Sequence, residues 1–425
     1  MSKISSLDRV YANHLDKQDP LADYRDQFVI DNPDMIYMDG NSLGRLPKAA
    51  AEMIKTVTAQ EWGCNLISSW NQGWWESPTR IGEKLAKLIG AGPGQVIVCD
   101  SVSINLFKLT MAVLAQHHDR VKIITDSLNF PSDLYVLQGC VNLLGNKHKI
   151  VRIGSKDGEI TPDLEALYAA IDKDTALVTL SHVVFKSGYL YDMAAITEKA
   201  HQVGALVIWD LCHSAGALPI ELDNCNVDYA LGCTYKYLNG GPGAPAFLYA
   251  NHKMQNNSTS PIWGWWGENT PFSFELDYTP ALGMKKFLTG SQPILSMLSL
   301  EAALEPHLHA GMQPLRDKSI RMSEFFIQLS DGILSPLGFE LGTPRNPDQR
   351  GSHVSLRHPE GYRINRVLID DLNVIPDFRE PDNIRFGLAP IYTTFCDIWD
   401  AIDRSRQAVE DKLYEKIPLT RLTVT

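Results

Sequence analysis

Seven short apolar, β-branched runs recur through the middle of the chain, and helical spacing fills most of the gaps between them. The runs are Gln95–Cys99, Val121–Thr125, Lys149–Ile153, Ala176–Leu180, Ala205–Asp210, Asp228–Gly232 and Ala246–Tyr249. Segments such as Leu106-Leu109-Val113 and Leu164-Leu167-Ile171 have the apolar period of a helix packed on one face. Strands alternating with helices can bury their faces only as a mostly parallel sheet covered on both sides. The last two runs are joined by a Gly/Pro-rich loop with no helix, so the last strand is expected to run antiparallel. Past about residue 300 the pattern changes. A helix is expected over Leu315–Leu329, short strands at Gly338–Leu341 and His353–Arg357, and a helix over Ile364–Leu372. Strands at Val374–Pro376 and Ile384–Phe386 follow, then a final helix from Thr394. At 425 residues the chain is too long for one ordinary core. The expected fold is therefore an α/β large domain at 36–300 with a mostly parallel seven-stranded sheet and flanking helices. A smaller α+β C-terminal domain at 301–425 follows it, and an N-terminal segment, 1–35, packs on the small domain. The polar stretch Asn251–Pro261 is expected to be an exposed loop.

In such sheets ligands bind beyond the carboxyl ends of the strands. Two residues there stand out. Asp210 closes the run Ala205–Asp210, and Lys236 follows the run Asp228–Gly232 inside Cys233-Thr234-Tyr235-Lys236-Tyr237-Leu238-Asn239-Gly240-Gly241-Pro242-Gly243. A lysine in a turn is usually a surface lysine, and a lone aspartate can simply end a strand. A lysine between an apolar strand and a Gly/Pro-rich loop, with a carboxylate at a preceding strand end, fits pyridoxal 5'-phosphate. The lysine can form a Schiff base with the aldehyde, and the carboxylate can keep the pyridine nitrogen protonated as an electron sink.

Other residues fit the same chemistry. Ser101 and Ser103 open a helix right after the first strand, where free amides favour a phosphate; plain capping is the alternative. Phe130, in Asn129-Phe130-Pro131-Ser132-Asp133, follows the second strand and can stack on a ring or fill a core. Tyr235 is a candidate phosphate ligand and proton donor. Trp62, Trp70, Trp74 and Trp75 form one aromatic cluster and Trp263, Trp265 and Trp266 another, suited to an aromatic substrate or a subunit interface. Arg379 and Arg385 bracket Glu380-Pro381-Asp382, and an arginine there can clamp a carboxylate or make a surface salt bridge. No metal site is expected: His117-His118 and His307-x-His309 lack matching carboxylates or cysteines. A GxxxxGK[ST] loop, a GxSxG elbow and a Rossmann GxGxxG are all missing.

The formal net charge of −11 argues against a nucleic-acid partner. No apolar stretch approaches the ~18 residues of a membrane span, and the first residues carry no secretory h-region. The seven cysteines include no CxxC pair and are expected to be reduced thiols in a cytoplasmic protein.

The motifs together resemble the kynureninases, pyridoxal-phosphate enzymes of the aspartate-aminotransferase fold. The resemblance runs through Met38-Asp39-Gly40-Asn41-Ser42-Leu43-Gly44, Ser103-Ile104-Asn105-Leu106-Phe107-Lys108 and Asn129-Phe130-Pro131-Ser132-Asp133-Leu134-Tyr135. It continues through Trp209-Asp210-Leu211-Cys212-His213-Ser214-Ala215-Gly216-Ala217, the highly specific Gly232–Gly243 run, Arg379-Glu380-Pro381 and Ile384-Arg385-Phe386-Gly387. It implies that Lys236 carries the cofactor and that Asp210, with His213 beside it, faces the ring nitrogen. Phe130 would stack on the ring, with Pro131, Ser132 and Asp133 close by. Val102, Ser103 and Tyr235 would hold the phosphate, and Ser181 would lie near the cofactor hydroxyl. Trp265 and Ser291 would reach the phosphate from the other subunit of a homodimer. Arg385 would bind the substrate carboxylate, and Trp70, Asn41 and Gly290 would complete the substrate site. Ser291 and Trp266 are mild departures from the familiar pattern, each within its chemical class. The implied reaction is hydrolysis of L-kynurenine, and more weakly 3-hydroxy-L-kynurenine, to anthranilate and L-alanine in tryptophan catabolism. A lyase, desulfurase or aminotransferase on the same fold, or a non-catalytic cofactor-binding regulator, is the rival expectation.

Overall fold

The computed structural model describes residues 8–117, 119–418 and 420. After a short strand β1 (Ile36–Tyr37), the chain lays down β2 (Val96–Val98), β3 (Lys122–Asp126), β4 (Lys149–Ile153), β5 (Thr175–Ser181), β6 (Leu206–Asp210), β7 (Tyr229–Gly232) and β8 (Phe247–Ala250). The last seven form one sheet in the order β2-β8-β7-β6-β5-β3-β4. Every pairing is parallel except the two made by β8, which runs antiparallel to β2 and β7. The expected strands are all present, and the connection into β8, which carries no helix to cross the sheet, reverses its direction.

Period-two side-chain alternation splits these strands between two cores. Val96, Val98, Val178, Leu180, Val207 and Trp209 face one side, where Ile81, Leu85, Ile196, Met297 and Leu300 from flanking helices cover them. Ile97, Ile123, Leu177, Ile208 and Leu231 face the other, under Leu106, Leu109, Val113 and Leu137. With both faces covered, all of β5 is buried, which is why such strands read as continuous apolar runs.

The carboxy-terminal part contains β9 (Glu340–Leu341), β10 (His353–Arg357), β11 (Val374–Ile375), β12 (Asp377–Arg379) and β13 (Asn383–Gly387). Four of them make an antiparallel sheet ordered β12-β13-β10-β9. Its apolar face, with Val354, Leu356, Ile384 and Phe386, packs on Phe326, Val367 and Ile402 from three helices. The expected strand at Val374–Pro376 is β11, and it pairs in parallel with β1 instead of joining this sheet. The final helix, Phe395–Glu410, starts at a Thr394/Asp397 capping box. Ala12 is buried in this same core, Arg9 pairs with Asp400, and Lys318 pairs with Asp19 at 2.6 Å.

The stretch expected as an exposed loop, Asn251–Pro261, departs from that expectation. His252–Gln255 form a helical turn, and Gln255, Ser258 and Ser260 are buried. Their polar side chains bond backbone carbonyls: Gln255 Nε2 donates to Gly94 O and Ala250 O, and Ser258 Oγ to Met254 O. No helix of the described residues is long and apolar enough to cross a membrane.

Candidate active site

The strand ends converge. Ser181 closes β5 and Asp210 closes β6, and the two are register partners. Lys236 lies four residues past the end of β7. Two helices begin beside them: Val102–Gln116 after β2 and Pro131–Leu143 after β3. From the carboxy-terminal sheet, β12 and β13 bring Arg379 and Arg385. Together these elements enclose a cavity of about 350 Å³, in the usual range for a ligand site.

Lys236 Nζ is 3.0 Å from His213 Nε2. The ammonium donates, so the ring accepts through Nε2. Burial, and then the Lys236 charge, push His213 well below the ordinary histidine range, so the ring is neutral. Its Nδ1 is buried without a partner. Asp210 accepts from the Cys212 backbone N–H at 2.6 Å, which fixes its carboxylate at the strand end. Asp133 is buried next to it. Burial, and then the Asp210 charge, raise Asp133 well above the ordinary carboxyl range, so the pair holds one proton and one negative charge.

Ser103 Oγ and Ser132 Oγ are 3.1 Å apart, each on the first turn of a different helix. Two helix N-termini and two hydroxyls thus face one spot, which suits a dianionic phosphate. Ser101 holds the N-cap position but its side chain makes no cap hydrogen bond; it lines the cavity. Ser181 Oγ donates to Asn129 Oδ1 at 2.6 Å, leaving its lone pairs free to accept. Phe130 is half exposed over the cavity, with Lys236 Nζ 6.0 Å from its ring centre. Tyr235 lines the wall, and burial, aided by the neighbouring thiols, keeps its hydroxyl protonated.

Arg385 differs from a free clamp. It is 2% exposed, and its Nε edge is already taken: Nε donates to Asp377 Oδ1 at 2.7 Å and Nη2 to Asp377 Oδ2. Nη1 donates to the Phe185 carbonyl. Nη2 also donates to Ser42 Oγ at 3.2 Å, so one Nη1 hydrogen is left, and a carboxylate must take it or displace Ser42. Asn41 lines the same region; it is fully buried, and neither its amide oxygen nor its amide nitrogen has a partner.

Val102, Ser103, Phe130, Ser132, Asp133, Ser181, Asp210, His213, Tyr235, Lys236, Arg385 and Asn41 thus share one cavity. Pro131, Trp70, Gly290, Trp265 and Ser291 are not among its lining residues. Pro131 opens its helix at the first position and is exposed, so it shapes the turn rather than the wall. Trp70 packs edge-on against Trp74 and Trp266, at 5.6 and 5.3 Å. Gly290 and Ser291 are exposed, and Trp265 is largely so. Phe185, Cys212, Cys233 and Arg379 also line the cavity. Of these four, sequence points to a ligand contact only for Arg379, as one of two possible clamps. Cys212 is two residues past Asp210, a legible signal. Phe185 sits in an irregular turn between β5 and the next helix, where spacing says nothing. Among the described residues no group of three or more His, Cys, Asp or Glu side chains could hold a metal; His118 lies outside them.

The architecture is that of the cysteine desulfurases. The structure superposes on the apo cysteine desulfurase of Thermococcus onnurineus NA1 with a TM-score of 0.77 at 19% identity, covering 92% of this chain and 98% of that one. The cysteine desulfurase CsdA of Escherichia coli gives a TM-score of 0.75 at 17% identity, with 92% and 98% covered. Sequence is more specific than shape. The family model for the kynureninase C-terminal domain matches residues 315–404. The kynureninase of Pseudomonas fluorescens is 44% identical over 405 residues, 94% of this chain and 95% of that protein. The kynureninase of Burkholderia pseudomallei (strain 1106a) is 42% identical over 417 residues, 97% and 98% of the two chains. The chain belongs to the kynureninase family.

Proposed function

We propose that the chain is a homodimeric, pyridoxal-phosphate-dependent kynureninase that hydrolyses L-kynurenine to anthranilate and L-alanine, and 3-hydroxy-L-kynurenine more weakly. The observation that carries this is the meeting, in one cavity, of Lys236, the Asp210 carboxyl group and the Arg385 guanidinium. The residues fit the cofactor: Ser103 and Ser132 at two helix N-termini suit its phosphate, Phe130 its ring face, and the partnerless Asn41 amide leaves bonding capacity for a ligand. When bound, pyridoxal phosphate supplies an aldehyde for the substrate amine and an electron sink for the bonds that break.

The chain's own residues do the rest. Asp210 supplies the negative charge that keeps a pyridine nitrogen protonated. Lys236, once free of the cofactor, carries a proton to and from the substrate α-carbon, with neutral His213 an acceptor 3.0 Å from its amine. Tyr235 holds its proton near neutral pH and can deliver it to the carbon left when water, added to the aryl carbonyl, takes the aroyl group away as anthranilate. Arg385 and Asn41 fix the α-carboxylate. Ser181 accepts from a ring hydroxyl because its own proton is committed to Asn129.

Trp265 and Ser291 act from the second subunit, and Trp70 and Gly290 shape the aryl site there. Support comes from exposed apolar side chains: Phe272, Phe274, Leu276 and Leu282 are widely exposed, and Phe272 packs against Trp265 at 6.1 Å. A two-domain division belongs to the same proposal, supported by two separate cores, although Ile36 and Met38 pack in the carboxy-terminal core and Leu304 in the core of the large sheet. Free thiols at all seven cysteines support a cytoplasmic location.

Purified protein given L-kynurenine should release anthranilate, followed by its fluorescence, with one equivalent of L-alanine. No anthranilate from cofactor-loaded protein would refute the assignment. Mixing Lys236→Ala chains with Trp265→Ala/Ser291→Ala chains should restore activity through one intact site per mixed dimer. No recovery despite subunit exchange would place those residues in their own chain's site.

A further inference from the structure

Strand period two puts Asp377 and Arg379 on one face of β12, and antiparallel pairing sets Asp377 opposite Arg385 on β13. Three charged side chains therefore share one face at the cavity edge. Asp377 is fully buried and both its oxygens are used. Oδ1 accepts from Arg385 Nε at 2.7 Å. Oδ2 accepts from Arg385 Nη2 and from Ser42 Oγ at 2.7 Å, and Arg379 Nη2 makes an ion pair with it at 2.7 Å. One oxygen thus holds two hydrogen bonds and a further cation. Arg385 is locked by both its Asp377 bonds and the Phe185 carbonyl, whereas Arg379 holds Asp377 by one tip and Phe378 O by the other, at 2.8 Å. Its side chain is 33% exposed and lines the same cavity as the partnerless Asn41 amide.

Two guanidiniums against one carboxylate leave a net positive charge facing the cavity. Asp39, the other acid nearby, does not cancel it at mildly acidic pH, because burial and then the Asp377 charge raise its carboxyl to about 7. The outer cation on an oversubscribed oxygen is the one that can leave. We propose that Arg379 is a second carboxylate-binding residue, which exchanges Asp377 for the α-carboxylate of the substrate, and that Asp377 is the positioning residue that holds Arg385 with its Nη1 toward the same group. The inference rests on the reading of the cavity as an amino-acid substrate site.

The test uses cofactor-loaded protein and two substrates, L-kynurenine and its α-carboxamide. Arg379→Gln should raise KM for kynurenine about tenfold, the worth of one charge-assisted hydrogen bond, with kcat within about threefold. It should leave KM for the carboxamide unchanged. Arg379→Lys, which keeps one charge, should recover part of the loss. Binding of L-alanine, measured by equilibrium dialysis, should weaken by the same factor in Arg379→Gln, and binding of ethylamine should not. Asp377→Asn should raise KM for kynurenine more than Arg379→Gln does, because it frees both arginines. An unchanged KM in Arg379→Gln, or equal losses on acid and carboxamide, overturns the proposal. If the wild type itself leaves kynurenine uncleaved, the function assignment falls; if it cleaves kynurenine and Arg379→Gln keeps its KM, only this inference falls.

Discussion

Asp133→Asn and Asp210→Asn make the same atomic change on neighbouring carboxyls, yet their effects on turnover should differ widely. Both side chains are almost fully buried, and two charged carboxylates cannot coexist there. Burial, then the Asp210 charge, raises Asp133 well above the ordinary range, so Asp133 holds the proton and Asp210 the charge. Asp133→Asn exchanges the acid hydroxyl for a neutral amide NH2 and leaves the charge of the site unchanged. The most it can lose is one ordinary hydrogen bond, about 0.5–1.5 kcal/mol, or about tenfold in rate at the limit. Asp210→Asn removes the one negative charge of the pair. An opposite charge at close range shifts a titration by about 1–3 units, which is about 1.4–4 kcal/mol and about 10- to 1000-fold in kcat.

The assay is single-turnover anthranilate release from each variant loaded with cofactor. Equilibrium dialysis of pyridoxal phosphate beside it separates lost binding from lost chemistry. The double variant should be no slower than Asp210→Asn, since the proton on Asp133 has no purpose once its neighbour is neutral. Equal losses in the two single variants, or a larger loss in Asp133→Asn, would refute the assignment of charge and proton.

Lys236→Ala should abolish turnover while the protein still folds, and borohydride treatment should no longer add the cofactor's mass to the chain; wild-type rates in this variant would sink the mechanism. Arg385→Lys should raise KM about 10- to 100-fold and lower Tm, because one ammonium cannot replace the two-bond contact with Asp377 and the bond to Phe185 O; an unchanged KM would remove Arg385 from the carboxylate site. Lys318→Met leaves buried Asp19 unpaired, so urea unfolding should show a loss of about 3–5 kcal/mol, and an unchanged midpoint would mean the N-terminal segment is not anchored there. Asp39 has its folded value raised from 3.8 to about 7. The stability it contributes is complete below about pH 4 and lost as pH rises through about 7. Asp39→Asn should therefore flatten that part of the Tm profile, and a profile identical to wild type would contradict the raised value.

The large sheet is legible in the sequence because its strands are buried on both faces, so period-two alternation collapses into continuous apolar runs such as Ala176–Leu180. The carboxy-terminal sheet is only half legible. Asp377-Phe378-Arg379 has no apolar run, since two of its three side chains are charged and pair with each other at the site, and β12 leaves no strand signal for that reason. Val374-Ile375 is legible as a strand but its partner is not, because Ile36 lies far away in sequence and local pattern carries no pairing information. At the site, Lys236 and Asp210 announce themselves through their places at strand ends. The state of Asp133 does not, because a raised carboxyl depends on burial and on a neighbour 77 residues on (210 − 133) that only the fold supplies.

The arginines show where sequence reasoning stops. Two of them spaced across Glu380-Pro381-Asp382 support a clamp and a surface salt bridge equally well, because spacing does not say which donors are free. The fold decides by adding a third group from the same face. Asp377 takes the Nε edge of Arg385 and only the tip of Arg379, so burial and partner count assign the two cations different freedom. A fixed cation pays its ordering entropy during folding, and a loosely held one can still move to meet its ligand. The same logic applies to the five site candidates off the chain's own cavity. On the dimeric reading proposed above, Trp265, Ser291, Gly290 and Trp70 meet the ligand from a second subunit, whereas Pro131 belongs to the turn that aims Phe130 and Ser132. Only the first four should therefore respond to disruption of a dimer.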